Sequence, residues 1–442
     1  MTATPIWFVT PESWDSVRRD IGALAAGFAE ACGFEPKPGR IQLLPAINGG
    51  LAGVLFGEDP ADPLQAGKLA TSLPPGDYRF AAPPARADLA DLGFLLARYR
   101  FDRFKAAPRA APHLEGADAK AERIASAIAA GRDLVNLPAN VLTPSALERE
   151  ATGLAARFGA QTQVIAGEAL ASGFPLIQAV GAAASEPPRL VDFTWGRPDA
   201  PKVTLVGKGV VFDSGGLDIK PASGMELMKK DMGGAATALT LARLVMEDRL
   251  DLRLRVLIPI VENAISGPAF RPGDVYRSRK GLTVEIGNTD AEGRLILADA
   301  LSLAAEEAPD LLLDFATLTG AARVALGPDL PPFYTDDEAL AAEIARFAED
   351  RLDPVWRLPL WRPYSPMLDS PAADLNNSPG SPFAGSITAA LFLRRFAEDA
   401  KAWAHFDVYA WNPKPRATGP QGGEIQAARG LHALLSARYP AA

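Results

Sequence analysis

Short aliphatic runs alternate along the chain with longer segments in which apolar positions recur at helical spacing. The aliphatic runs predict strands at 203–206, 254–261, 283–286 and 311–315. The longer segments predict helices at 233–245 and 292–306. This alternation is typical of a mostly parallel sheet flanked by helices on both faces. We therefore predict an α/β fold in which ligands bind where strands end and loops lead into helices.

The first hundred residues show a different sequence pattern, with glycine and proline turns between short apolar runs. Helical spacing of apolar positions predicts helices at 21–34 and 89–104, which indicates a small α/β unit. Residues 105–115 contain two prolines and little to bury, so we predict a domain boundary there. A chain of 442 residues also exceeds the roughly 250–300 residues of one core. The predicted domains are 1–110 and 111–442.

Composition narrows the classes of function. With 48% hydrophobic and 22% charged residues the chain should fold, and a net charge of -8 gives no reason to expect nucleic acid as a partner. No stretch approaches the roughly 20 apolar residues needed to span a bilayer, so no membrane partner is expected. The single cysteine, Cys32, cannot form an internal disulfide, which favours the cytoplasm, and its apolar neighbours predict a small buried packing residue.

Three stretches rich in acids and glycines follow predicted strands, at 207–220, 230–236 and 288–294. They contribute four carboxylates: Asp213, Asp231, Asp290 and Glu292. Gathered at one sheet edge, these acids would repel one another strongly unless cations neutralised them, and two divalent ions match their formal charge. The ligand types are compatible with Mg²⁺, Mn²⁺ or Zn²⁺.

Such a pair of ions can ready a water for hydrolysis, with a lysine stabilising the developing oxyanion and an arginine holding a planar anion. Single Asp and Gly residues in these stretches are also typical of solvated turns, and Lys and Arg of pairing with nearby acids. Spacing alone therefore supports a metal or phosphate site and leaves the two open.

The sequence Asn-Thr-Asp-Ala-Glu-Gly-Arg at 288–294, preceded by Lys-Gly-Val-Val-Phe-Asp-Ser-Gly-Gly at 208–216, resembles the signature of the leucine aminopeptidase family of two-metal exopeptidases. The likeness extends from about residue 133 to the end of the chain, and we find none in the first hundred residues. The resemblance implies that Asp213 and Glu292 bridge two ions, Mn²⁺ or Zn²⁺. Asp290 completes one metal site, and Asp231 with the neutral amine of Lys208 completes the other.

The resemblance also implies roles around the ions. Lys220 steadies the oxyanion, and Arg294 holds a bicarbonate that relays protons. Met228, Thr317 and Gly320 form the walls of a pocket for an apolar first residue of a short peptide. The family assembles as a hexamer with enclosed active sites, so a homo-hexamer is expected. The chain departs from the family after His405-Phe-Asp407, where small residues are replaced by the sequence at 408–413, which puts the pocket shape in question.

Other classes of protein fit the sequence less well. Ser214 lies on a glycine-rich turn, but the Gly-x-Ser-x-Gly motif of serine hydrolases is missing from the sequence. Gly207-Lys-Gly209 lacks the third glycine of a dinucleotide-binding loop. The three histidines are too scattered for a helical zinc motif and are predicted to be structural or surface residues. A catalytically retired binding or scaffold protein on the same fold is the remaining alternative to an enzyme.

Overall fold

The computed structural model describes residues 3–47, 49–106 and 110–441. The chain divides into two compact units, one formed by Met1–Ala129 with Pro413–Gln421 and the other by Ala130–Asn412 with Gly422–Ala442. The predicted boundary at residue 110 lies beside residues 107–109, which are outside the described residues, and it stays a prediction. None of the described helices is long and apolar enough to cross a membrane.

The smaller unit is an α/β structure with strands in the order β2-β3-β1-β4-β5. Its strands are β1 (Thr4–Val9), β2 (Ile41–Pro45), β3 (Leu51–Gly57), β4 (Asp77–Ala82) and β5 (His113–Leu114). Its helices are α1 (Trp14–Ile21), α2 (Ala23–Ala31), α3 (Gly67–Ser72) and α4 (Ala87–Ala97). Strand β1 pairs in parallel with β3 and β4, and only β2 runs antiparallel to its neighbour.

Three predictions in this unit need correction. The predicted helix at 21–34 is shorter and corresponds to α2, since Gly22 has a φ of 82° and separates α2 from Ile21, the last residue of α1. The predicted helix at 89–104 ends at Ala97, so its last turns are irregular. Cys32 follows α2 and is exposed, so its prediction as a buried packing residue was wrong.

The larger unit contains a sheet in the order β15-β14-β17-β13-β8-β10-β7-β6, with β9 pairing to β10. Its strands are β6 (Gln161–Ala166), β7 (Arg189–Trp195), β8 (Lys202–Gly207), β9 (Gly209–Asp213), β10 (Arg253–Asn263), β13 (Leu311–Ala316), β14 (Pro332–Tyr334), β15 (Trp356–Arg357) and β17 (Trp403–Asp407). The central strands β10, β8, β13 and β17 are parallel, and antiparallel pairing is confined to the flanks. This confirms the predicted mostly parallel sheet.

Smaller strands lie off this sheet: β11 (Val275–Arg277), β12 (Thr283–Glu285), β16 (Leu375–Asn376), β18 (Trp411–Asn412) and β19 (Gly422–Gly423). The helices are α5 (Ala119–Asn136), which crosses the limit between the units, α6 (Pro144–Arg157), α7 (Gly167–Gly173), α8 (Pro175–Gly181), α9 (Ala222–Met225), α10 (Gly233–Glu247), α11 (Glu292–Ala305), α12 (Gly320–Leu326), α13 (Glu338–Asp350), α14 (Gly385–Arg394) and α15 (Ala428–Arg438).

Helix α10 and strand β13 approach each other closely because the helix begins with two glycines. A Cβ atom added at Gly234 would lie 2.1 Å from the Phe315 carbonyl oxygen, so any side chain there would force the helix away from the strand. Strands β8 and β13 are mostly aliphatic in their buried runs, with Thr204 and Asp314 as the polar exceptions, because helices cover both faces of a parallel sheet. This close approach holds the loop before α10 against the carboxyl ends of the strands.

Asp299 is a buried carboxylate that joins helix α11 to two other segments. It accepts hydrogen bonds from the backbone N–H groups of Leu176 (2.8 Å), Ile177 (3.3 Å) and Arg279 (2.8 Å). Leu176 and Ile177 lie in the first turn of α8, where backbone donors have no partner within the helix. Burial nevertheless raises the pKa of Asp299 to about 7, against the lowering effect of these donors.

We expect Asp299→Asn to flatten the dependence of stability on pH. The folded-state pKa of Asp299 lies above its unfolded value near 3.9, so the folded protein binds the proton more tightly. The stability that this proton contributes is present below pH 4 and is lost as the pH rises through about 7. Urea unfolding between pH 5 and 8 should show a smaller fall in the free energy of unfolding for the variant, and equal slopes would contradict the assignment.

Candidate active site

The predicted acids lie on loops at the carboxyl ends of neighbouring parallel strands. Lys208 follows β8, Asp213 ends β9 and Thr317 follows β13. Asp231 lies in the 3-10 turn Met228–Met232 before α10, and Glu292 is the first residue of α11. The strand register therefore brings together residues that lie far apart in the sequence, at the edge where parallel sheets bind ligands.

Three of the carboxylates form a buried cluster. Asp213, Asp231 and Glu292 each offer one oxygen atom, and these atoms lie within 4.8 Å of one another. Burial, together with the charge of Asp213, raises the pKa of both Asp231 and Glu292. Asp290 lies at the rim with 33% of its side chain exposed, and burial and the charge of Asp213 raise its pKa to about 6.

Two lysines lie among these acids. Lys208 Nζ lies 2.8 Å from Asp231 Oδ2 and 2.8 Å from Glu292 Oε1, and it donates to the Thr317 carbonyl oxygen at 2.9 Å. Lys220 Nζ lies 2.8 Å from Asp213 Oδ2 and forms a second ion pair with Asp290. Burial opposes the charge of each lysine, but the carboxylates outweigh it and raise both pKa values.

The donor set suits divalent cations. Two ammonium groups offset only half of the formal charge of four carboxylates, which leaves the cluster short of positive charge. Asp231 Oδ2, Asp290 Oδ1 and Glu292 Oε1 are buried oxygen atoms that accept no well-formed hydrogen bond from the residues that the structure describes. Their contacts to the lysines leave lone pairs available for a cation, and buried oxygen atoms of this kind ordinarily have a partner. Carboxylate oxygens with one amine nitrogen are ligands that Mn²⁺ and Zn²⁺ accept.

Glycine at position 293 allows Lys208 to reach this cluster. A Cβ atom at Gly293 would lie 2.6 Å from Lys208 Cε and 2.8 Å from Lys208 Nζ. The first turn of α11 therefore packs directly on the lysine side chain. This contact gives a physical reason for the glycine that follows Glu292 in the sequence.

A network of hydrogen bonds fixes the acid-bearing loops. Asp213 Oδ1 accepts from Asn263 Nδ2 at 2.8 Å and from the Gly215 N–H at 2.9 Å. Thr289 and Asp218 exchange hydrogen bonds between backbone and side chain, 2.8 Å long in each direction. Sequence reasoning missed Asn263, although its position just beyond the predicted strand 254–261 placed it at the same sheet edge.

The cluster opens into a cavity of about 400 Å³. Nine of the ten predicted site residues line it: Lys208, Asp213, Lys220, Met228, Asp231, Asp290, Glu292, Thr317 and Gly320. Arg294 is not among the described residues that line the cavity. It is buried behind the cluster, where its Nη1 donates to the Asn377 carbonyl oxygen at 2.7 Å, and burial lowers its pKa to about 10.

Among the lining residues that sequence reasoning missed are two cations and one aromatic residue: Lys230, Arg323 and Tyr409. Lys230 Nζ lies 4.7 Å from the centre of the Tyr409 ring, and the Arg323 guanidinium carbon lies 5.7 Å from it. Burial lowers the pKa of Lys230 to about 8. The departure from the family sequence at 408–413 was the one signal that this part of the cavity differs from that of the family.

Buried acids at the carboxyl ends of parallel strands, in an α/β domain, form a donor set that could hold metal ions at the edge where α/β enzymes bind their ligands. Comparison with known proteins gives the family. Residues 129–433 match the catalytic domain of the cytosol aminopeptidase family, and residues 5–115 match the M17 aminopeptidase N-terminal domain. The chain belongs to the cytosol aminopeptidase family, whose members are metal-dependent exopeptidases. The expectation that the first hundred residues bear no likeness to the family was wrong.

Individual relatives support the assignment to this family. The chain is 42% identical over 366 residues to a probable cytosol aminopeptidase from Syntrophotalea carbinolica, covering 78% of this chain and 73% of that protein. Against other curated relatives it spans about two thirds of their length. The crystal structure of a cytosol aminopeptidase from Coxiella burnetii matches with a TM-score of 0.95 and 44% identity, over 99% of this chain and 98% of that one.

A second solved structure, the bottromycin maturation enzyme BotP in complex with Mn, matches with a TM-score of 0.88 and 34% identity, over 99% of this chain and all of that one.

Proposed function

We propose that this protein is a leucyl-type aminopeptidase that hydrolyses the first peptide bond of short peptides with two divalent cations. The observation that carries the proposal is the buried cluster of Asp213, Asp231 and Glu292, with ligand oxygens within 4.8 Å of one another beside a cavity. Carboxylates so close together are tolerated only when cations offset their charge. Membership of a metal-dependent exopeptidase family supports the same conclusion.

The cations would be held by Lys208, Asp213, Asp231, Asp290 and Glu292. The family resemblance assigns Asp213 and Glu292 to both ions, and the Lys208 amine would be neutral when it binds. Such ions would supply Lewis acidity and activate a water for attack at neutral pH. The oxygens of Asp231, Asp290 and Glu292 that contact only the lysines among the described residues support this assignment. We propose Mn²⁺ or Zn²⁺, and the manganese complex of BotP supports the former.

The remaining residues would act on the peptide. Lys220 reaches the cavity with an ammonium group that could donate to the oxyanion as the carbonyl carbon becomes tetrahedral. Met228, Thr317 and Gly320 line the part of the cavity that would take the side chain of the first residue. Arg294 would hold a bicarbonate for proton relay, and its buried Nε, which has no hydrogen-bond partner in the described ranges, supports an anion nearby. We further propose a homo-hexamer in the cytoplasm.

Hydrolysis of leucine p-nitroanilide tests the proposal against a retired scaffold. Purified protein supplied with Mn²⁺ should release p-nitroaniline, and a leucyl dipeptide should be cut to free amino acids. Removal of metal with a chelator should abolish both reactions, and added Mn²⁺ or Zn²⁺ should restore them. Metal-replete protein that cleaves neither substrate would leave the scaffold as the better description.

A further inference from the structure

Two cations, the buried Lys230 and the partly buried Arg323, line the cavity beside Tyr409. Lys230 is 6% exposed and lines the cavity. Within the described part of the chain its Nζ makes no hydrogen bond or ion pair, and its contact is with the face of the Tyr409 ring at 4.7 Å. An ammonium group is a strong donor, and burying one without an acceptor is costly.

Arg323 is the second of these cations. Its side chain is 15% exposed, and its Nη2 donates to Asp407 Oδ1 at 3.2 Å. Its Nε and Nη1 are buried and have no hydrogen-bond partner among the described residues. Both cations lie over the ring of Tyr409, and all three side chains line the same cavity.

Asp407 does not supply the missing acceptor. Its carboxylate already accepts hydrogen bonds from the backbone N–H groups of Leu318 and Thr319 and from the Thr319 hydroxyl, and it balances the charge of Arg323. Asp231 follows Lys230 in sequence but is committed to the cations of the proposed function, which offset the four acids. Lys230 is therefore surplus positive charge in a partly buried pocket.

We propose that this pocket favours peptides whose first residue carries a carboxylate side chain, glutamate or aspartate, over neutral residues of the same shape. The inference rests on the proposed function, because the pocket has this role only if the acid cluster hydrolyses the first peptide bond. Lys230 and Arg323 are the specificity-determining residues. The aliphatic stem of glutamate packs against the wall that also receives leucine, and its carboxylate supplies the acceptor that the two cations lack.

The test compares glutamyl and glutaminyl p-nitroanilide, which differ in charge but hardly in shape. With Mn²⁺ present, kcat/KM for the glutamyl substrate should exceed that for the glutaminyl substrate by at least about tenfold. Lys230→Met should bring the two values to within about threefold of each other, because an apolar side chain forms no ion pair with the glutamyl carboxylate. Arg323→Gln should lower the ratio in the same direction.

Lys229→Met is the matched control. Lys229 neighbours Lys230, but its Nζ donates to the Asn136 carbonyl oxygen at 2.8 Å and it is not among the described residues that line the cavity. The control should keep the glutamyl preference. If kcat/KM of the wild type for the glutamyl substrate does not exceed that for the glutaminyl substrate, the inference is overturned. The proposed function still stands in that case if the leucyl substrate is hydrolysed. Failure to cleave any of the three substrates overturns the proposed function and the inference with it.

Discussion

Replacing Lys220 by methionine is expected to lower kcat/KM for leucine p-nitroanilide by about a hundredfold to a thousandfold, the usual cost of removing one donor to an oxyanion. The variant should still bind two equivalents of metal, since Lys220 contacts the acids but is not itself one of the proposed ligands. Most of the loss should appear in kcat, because the ammonium acts on charge that develops only in the transition state. Steady-state kinetics and elemental analysis of the same sample provide both measurements.

Lys202→Met is a suitable control for this variant. Lys202 begins β8, six residues before Lys208, and its Nζ donates to the Glu307 carbonyl oxygen at 3.1 Å. Its replacement should leave turnover intact. Metal loss in Lys220→Met would mean that the roles of Lys208 and Lys220 are exchanged, and full activity would remove Lys220 from the reaction.

The fold of the larger unit could be predicted because its buried strands are runs of aliphatic residues with helical segments between them. Strand β10 extends two residues beyond the predicted 254–261, to Asn263, and helix α11 begins at the predicted Glu292. The smaller unit was predicted less well. Helices α2 and α4 are rich in alanine and leucine on all sides, so periodicity could not show that α2 begins only after Gly22 or that α4 ends at Ala97.

The acids of the site could be predicted because they lie in short contiguous motifs after predicted strands. The part of the cavity formed by Lys230 and Arg323 could not be predicted in this way. Arg323 and Asp407 are 84 residues apart, and they meet only because β13 and β17 pair in register, with Ala316 opposite Asp407. Lys229 and Lys230 precede Asp231, and two consecutive lysines are typical of a solvated turn. Only the tertiary structure shows that Lys230 is buried. Contacts between distant segments are the part of a site that local patterns do not encode.

Glu292→Gln is expected to have the largest effect of any single change. The side chain is 2% exposed, lies 2.8 Å from Lys208 Nζ and belongs to the cluster with Asp213 and Asp231. Glutamine keeps the shape but removes one of the four negative charges and one ligand oxygen of the proposed bridge. We expect kcat/KM to fall by at least about a thousandfold, because the Lewis acid is lost or misplaced with the ions. Elemental analysis should show less than two equivalents of metal.

Glu306→Gln provides the matched control, since Glu306 follows the same helix and pairs with Arg279 at the surface, 2.7 Å away. A charge removed there should leave metal content and turnover unchanged. Stability separates a lost metal site from a misfolded protein. If the Glu292→Gln variant has lost its ions but is folded, its circular dichroism spectrum should match that of the wild type. Added Mn²⁺ should raise the thermal stability of the wild type with increasing metal concentration and should not stabilise the variant. Retention of both ions together with normal turnover would mean that Glu292 is not a ligand, and the cluster would then lack the bridge on which the proposed chemistry depends.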